Sequence, residues 1–259
     1  MTHGSRAWRY KATGLLAAAL AIALQGPLAS QEIKKVAASA LDQPLGILYE
    51  ARKAYAGVRD YSATLVKRES LATNSEDNII QFKFRQAPYS VYMRWLSPSK
   101  FKGQEVAYVH GQNRNKLRVH AKGLLKGMAG FVSIDVDDAR IRECTRHNIY
   151  EAGIGFLIEK TIKHWEQERV IGRTEVHMAE YEYNKKRCYR IETTRTERRP
   201  EYYCYRTVIY VDQESKLPIR AENYNWPRPG GPAEGDLIEM FSYVDLRLNA
   251  GLGDRDFDK

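Results

Sequence analysis

The stretch YSVYMRWLSPSKFKGQEVAYVHG, residues 89–111, alternates apolar and polar side chains, breaks at Ser97-Pro98-Ser99, and then alternates again. Period-two alternation sends successive side chains to opposite faces of a strand, so one face is wet and the other covered. The fold therefore turns on what covers the apolar face of these two strands.

Working outward, strand-like runs precede and follow them: Tyr61 to Glu69, Asn78 to Arg85 and Lys116 to His120, separated by short turns of Asn, Gly, Ser and Pro. Connections this short imply antiparallel neighbours. Five further runs, at about 174–183, 186–195, 201–212, 217–224 and 236–248, are rich in aromatic and β-branched residues. Two segments keep helical spacing instead. Asp42 and Pro44 start a helix over about 43–59, and Gly153 opens a second one to Glu168, with Ile154, Leu157, Ile158, Ile162 and Trp165 on one side. Between the strand groups, residues 122–135 mix Leu124, Leu125, Met128 and Phe131 with glycines and read as a mobile apolar loop or lid. The order predicts a mostly β, α+β fold: a strongly curved antiparallel sheet or incomplete β-barrel with helices covering its concave face.

The first thirty residues read as a targeting segment. Arg6, Arg9 and Lys11 precede a short apolar run, Gly14 to Leu24, and small residues follow through Ser30. That run is too short for a bilayer core of about 30 Å, so a cleaved signal over residues 1–30 is expected, with residues 31–259 as a single β-rich domain in the periplasm or outside the cell. Losing its three cations lowers the formal charge from +9 to +6. A basic exported chain favours an anionic membrane surface, lipid headgroup or wall polymer over nucleic acid. Two regions carry this charge: residues 110–130, and a hairpin with Arg187, Arg190, Arg198, Arg199 and Arg206. The same hairpin holds Cys188 and Cys204. Its expected midpoint at residue 196 would set them opposite each other, in reach of a disulfide in an oxidising compartment.

No catalytic signature is present: no G-x-S-x-G, no P-loop, no dinucleotide fingerprint. His164-Trp165-Glu166-Gln167-Glu168 lacks the second histidine of a zincin helix, and Asp135-Val136-Asp137-Asp138 lacks the glycine and distal glutamate of a calcium loop. The expectation is a binding protein with neither cofactor nor metal. Its site would be the apolar strand faces, Phe82 and Phe84, Val91, Met93 and Trp95, then Val106 and Tyr108, where aromatics and a methionine suit a ligand of no fixed shape such as an acyl chain.

Tyr61-Ser62-Ala63, Phe82-Lys83-Phe84-Arg85, Pro88, Tyr92-Met93-Arg94-Trp95, Pro98, Gly103 and Val106-Ala107-Tyr108-Val109 resemble the N-terminal strands of the bacterial lipoprotein carrier LolA and its relatives. With Arg146-His147-Asn148-Ile149, the helix opened by Gly153 and the ending Leu248 to Asp258, the chain is more closely similar to an uncharacterised exported bacterial family grouped with that superfamily. The resemblance implies an incomplete barrel closed by helices over an apolar cavity, with a lipid, or a lipoprotein's acyl chains, as partner. In the carriers an arginine before the strand-ending proline latches the helical lid, and Arg85 is the matching residue here. Relatives of this fold also serve as stress-signal sensors, so a ligand-free protein-interaction module is the alternative.

Overall fold

The computed structural model describes residues 39–71, 76–120 and 130–258. The expected targeting segment and the lid residues Leu124, Leu125 and Met128 lie outside the described residues.

After helix α1 (Asp42–Tyr55) come strands β1 (Asp60–Glu69), β2 (Asn78–Arg85), β3 (Ser90–Ser97), β4 (Glu105–Val109), β5 (Leu117–His120) and β6 (Val132–Ile134). Helices α2 (Ala139–Cys144) and α3 (Ile154–Ile171) follow, then β7 (Thr174–Tyr183), β8 (Lys186–Arg195), β9 (Arg206–Asp212), β10 (Pro218–Tyr224) and β11 (Leu237–Leu248). All eleven strands form one antiparallel sheet in the order β6-β5-β4-β3-β2-β1-β11-β10-β9-β8-β7. It ends in β6 and β7 and does not close into a barrel. Register shifts at Ser62/Thr64, Ile79/Ile80 and Asn223/Tyr224 supply the bulges that bend such a sheet. The expected architecture is therefore the observed one. Strand β6 emerges within the glycine-rich segment, paired to β5 through Leu117–Ile134, and α2 is a helix the sequence reading did not anticipate.

Helix α3 covers the concave face. Its Ile154, Ile158, Ile162 and Trp165 are buried in one cluster with Tyr61, Leu65, Ile80, Phe82 and Phe84 from the sheet and Leu45, Leu48 and Ala51 from α1. The start of α3 is fixed by close fit. Gly153 has φ +99°, and a Cβ there would lie 2.7 Å from the Tyr61 hydroxyl, so only glycine meets both conditions. Tyr61 Oη in turn accepts the Ile154 N–H at 2.8 Å, satisfying one donor of the helix's first turn. On the outside, Arg52 of α1 holds Glu159 of α3 in a two-bond pair at 2.7 Å.

At the other end of α3, Glu168 and Arg195 of β8 form a fully buried ion pair, with contacts of 2.6 and 3.0 Å. Arg195 also donates to Thr207 Oγ1 at 3.0 Å, and Thr174 donates to Glu168. Losing one partner of such a pair strands a desolvated charge, which typically costs about 3–5 kcal/mol. We expect Arg195→Met to destabilise urea unfolding by that amount and Glu168→Leu/Arg195→Met to recover most of it. A double variant less stable than either single one would contradict the account.

Candidate functional site

Across β1 to β5 the register sorts concave-face side chains into rows. Tyr61, Phe84, Val91 and Tyr108 stand opposite one another in turn, and one row along stand Ala63, Phe82, Met93, Val106 and Val119. The first row lies under Gly153 and the 149–152 turn. Phe84 stacks on Tyr61 with centroids 5.1 Å apart, Tyr89 donates to the Ile149 carbonyl at 2.7 Å, and Tyr108 meets Tyr150 edge-on. The second row has open space above it. Phe82, Met93, Trp95, Val106 and Val119 wall one side of a cavity of about 540 Å³, opposite Phe156 and Leu157 of α3, a size typical of small-ligand pockets.

The far side of this cavity is polar. Glu69 of β1 stands directly opposite Glu239 of β11, and the row continues through Asn223, Thr207 and Thr193. Two like charges face to face across a ladder are unfavourable, and both carboxylates are buried. They persist because each has its own cation. Lys67 reaches Glu69 at 2.9 Å. His147 meets Glu239 with Nε2 at 2.6 Å and Glu151 with Nδ1 at 2.6 Å. Tyr203 Oη and Asn223 Nδ2 also donate to Glu239, at 2.9 and 2.8 Å. Burial disfavours the charged form of His147, but the bonds and charge of Glu239 and then Glu151 outweigh it and raise its pKa above the ordinary value. Burial likewise opposes the Glu239 carboxylate, yet His147 foremost holds its pKa down at about 2.

Donor atoms of Glu69, His147 and Glu239 lie within 4.8 Å of one another. Such an N/O set would suit a borderline divalent cation, but a dication would have to displace the cations already bound there. The same polar end carries Lys160 and His164, one helical turn apart on the cavity side of α3. Burial, then the charge of Lys160, lower the His164 pKa, so this imidazole is neutral at pH 7.

Of the residues expected to touch a ligand, Phe82, Met93, Trp95 and Val106 line the cavity, whereas Phe84, Val91 and Tyr108 are packed core beneath the 149–153 turn. Phe131 stacks on His120 at 5.4 Å and is no part of the cavity wall. Arg85 does not latch the helices. It points from the opposite face of β2, where it pairs with Asp254 at 2.8 Å and covers the Phe257 ring at 4.9 Å, tying down the C-terminal segment. The disulfide expectation also fails. Cys188 stands opposite Asp212, which centres the β8–β9 connection on residue 200 instead of 196, and Cys188 and Cys204 are free thiols. The basic hairpin is largely self-neutralised: Arg187 pairs with Glu180, Arg190 and Arg206 with Glu192, and Arg199 with Glu197, while Arg198 lies over Trp226.

The sequence reading missed Glu69, His147, Lys160, Tyr203 and Glu239. A signal was there, because Glu239 falls on the same strand face as Phe241 and Tyr243, a charge where alternation calls for an apolar residue.

Fold and cavity together define a half-barrel with a helix roof over an apolar site that has one ionic end. The chain belongs to the family described as Protein of unknown function (DUF1571), whose model matches residues 58–259. No curated protein matches it. Among solved structures it is similar to an uncharacterised conserved protein from Thermus thermophilus (10% identity, 84% of this chain and 93% of that chain, TM-score 0.47). It is also similar to the lipoprotein LppX of Mycobacterium tuberculosis (9%, 84% and 100%, TM-score 0.46) and to a LolA superfamily protein from Nitrosomonas europaea (13%, 86% and 99%, TM-score 0.36). At such identities and scores, function has to be read from the cavity itself.

Because the folded-state pKa of His147 is raised, its contribution to stability is complete below the unfolded value of about 6.5 and fades as pH rises through the folded value. Glu239 behaves oppositely: its contribution is complete above about 4.5 and is lost as pH falls toward 2. Thermal unfolding between pH 5 and 9 should show a stability decline on the alkaline side that His147→Gln removes. An unchanged slope in that variant would show that His147 is not the titrating group.

Proposed function

We propose that the protein is an exported lipid-binding or carrier protein, holding an acyl chain or the acyl part of a lipoprotein between the second row of the sheet and α3, and that it is not an enzyme. The observation that carries this reading is the walling of a 540 Å³ cavity by Phe82, Met93, Trp95 and Val106 on one side and Phe156 and Leu157 on the other. An unbranched chain can follow such a surface without fixed hydrogen bonds, and each methylene removed from water contributes about 0.8 kcal/mol. Methionine and aromatic rings adapt to chains of different length. Among the described residues no helix is long and apolar enough to cross a membrane, and the export segment expected from the N-terminal sequence supports a site of action where lipid and lipoprotein traffic occurs.

The test is to express the full chain in an export-competent bacterium, purify it without detergent, and compare native with denaturing mass spectra. We expect an acyl species that leaves on denaturation and is lost in Met93→Glu/Leu157→Glu, with the far-ultraviolet circular dichroism retained. A protein that arrives empty, takes up no fluorescent fatty acid and instead brings down a stoichiometric protein partner would replace this reading with the protein-interaction module.

A further inference from the structure

Among the described residues, Lys160 at the cavity's polar end makes no ion-pair contact with the local acids, although its charge helps to keep Glu239 ionised. It is half-buried, and its Nζ lies 4.4 Å from the centre of the Tyr203 ring and 5.8 Å from that of Phe156. No described carboxylate comes within 4 Å of it. Glu239 already accepts from His147, Tyr203 and Asn223, and Glu69 from Lys67, Thr145 and the Arg146 N–H. A carboxylate offers about four acceptor positions, so little capacity remains for a further donor. Lys67, Arg146 at 4.0 Å from Glu239, and His147 sit among the three acids of the cluster, so Lys160 adds a positive charge beyond what that cluster can neutralise. Ring faces compensate a partly desolvated ammonium only in part. An unpaired cation facing the interior of an apolar cavity is a place for an anion brought by a ligand.

We propose that Lys160 is a headgroup anchor, selecting acyl ligands that carry a carboxylate or phosphate head over neutral esters of the same chain. The inference rests on the acyl reading of the cavity and sharpens it. The chain would lie along Phe82, Met93 and Val106 while the head reaches Lys160, with the neutral His164 imidazole one turn along as a second polar contact. A charge-assisted bond of this kind gives about tenfold in affinity, equivalent to about 1.4 kcal/mol.

The experiment measures binding of dodecanoate, dodecyl phosphate and methyl dodecanoate to the full chain by displacement of a fluorescent fatty acid, at one pH and ionic strength. The expected result is that the wild-type protein binds both anions about tenfold more tightly than the ester. Lys160→Met should bring that ratio close to one, and Lys160→Arg should keep it. Circular dichroism confirms that both variants are folded. Equal affinity for anions and ester in the wild type overturns the anchor while leaving the acyl reading intact. A preference that survives in Lys160→Met overturns it too. Failure of all three amphiphiles to bind removes the acyl reading itself, and the anchor with it. Displacement by millimolar inorganic phosphate alone would assign Lys160 to free oxyanions and overturn the coupling of head to chain.

Discussion

Helix α3 is held to the sheet at two points, and everything functional lies between them. At its N-terminus a glycine with positive φ sits on the Tyr61 and Phe84 rings, and the Tyr61 hydroxyl caps the first turn. Near its C-terminus the Glu168 carboxylate is locked to Arg195. Neither contact tolerates sliding: the first is a steric fit at about van der Waals limits, the second a directional pair out of water. Between these two points Ile158 and Ile162 pack into the core while Phe156, Leu157 and Lys160 line the cavity, so the tethers fix which side chains of the helix roof the site.

Register then decides what the space is lined with. On β2, a step of two positions leads from Phe84, packed beneath the 149–153 turn, to Phe82, which borders the cavity; on β3 the same step leads from Val91 to Met93. Both members of each pair are apolar and on one face, so alternation cannot tell them apart. The distinction comes from the 149–153 turn, which lands on one row and not the next. Past the cavity, the concave face changes character along Glu69, Glu239, Asn223, Thr207 and Thr193. One continuous face thus serves three purposes: packing, apolar lining and an ionic end.

How much of this was legible follows from the range of each signal. Strand positions, the two main helices and the curved antiparallel sheet were readable because period-two and helical spacing are local. The ten expected strands all appear, the eighth of them, β9, starting at Arg206 and not 201 because residues 196–205 form the connection. Of the seven expected wall residues, Phe82, Met93, Trp95 and Val106 face the cavity, while the 149–153 turn, from far along the chain, covers Phe84, Val91 and Tyr108. The cysteine pairing failed on a four-residue error in a turn centre, since register in a long hairpin is set by the loop. His147 with Glu239 lies 92 residues apart in sequence and left only an indirect trace, an acid on an apolar strand face. Arg85 matched a family position in sequence but faces the other side of the sheet, because even one residue of offset inverts the side on which a strand residue emerges.

Charge shows the same limit more sharply. The formal charge of +9 and the arginine-dense hairpin invited an external anionic surface, yet the hairpin's arginines are mostly spent on Glu180, Glu192 and Glu197 beside them. Exposed pairs of this kind contribute about 0–1 kcal/mol each and are screened by salt, but they do remove the charge from use. On the far face, Lys83, Arg85 and Arg118 are likewise taken up by Asp256, Asp254 and Asp258 of the C-terminal segment. What a protein can do with its charge depends on which cations lack an acid within reach, and only a three-dimensional arrangement reveals that. Here the informative cation is a single half-buried lysine facing the inside of a cavity, where the low dielectric makes one unpaired charge count for more than several neutralised ones on the surface.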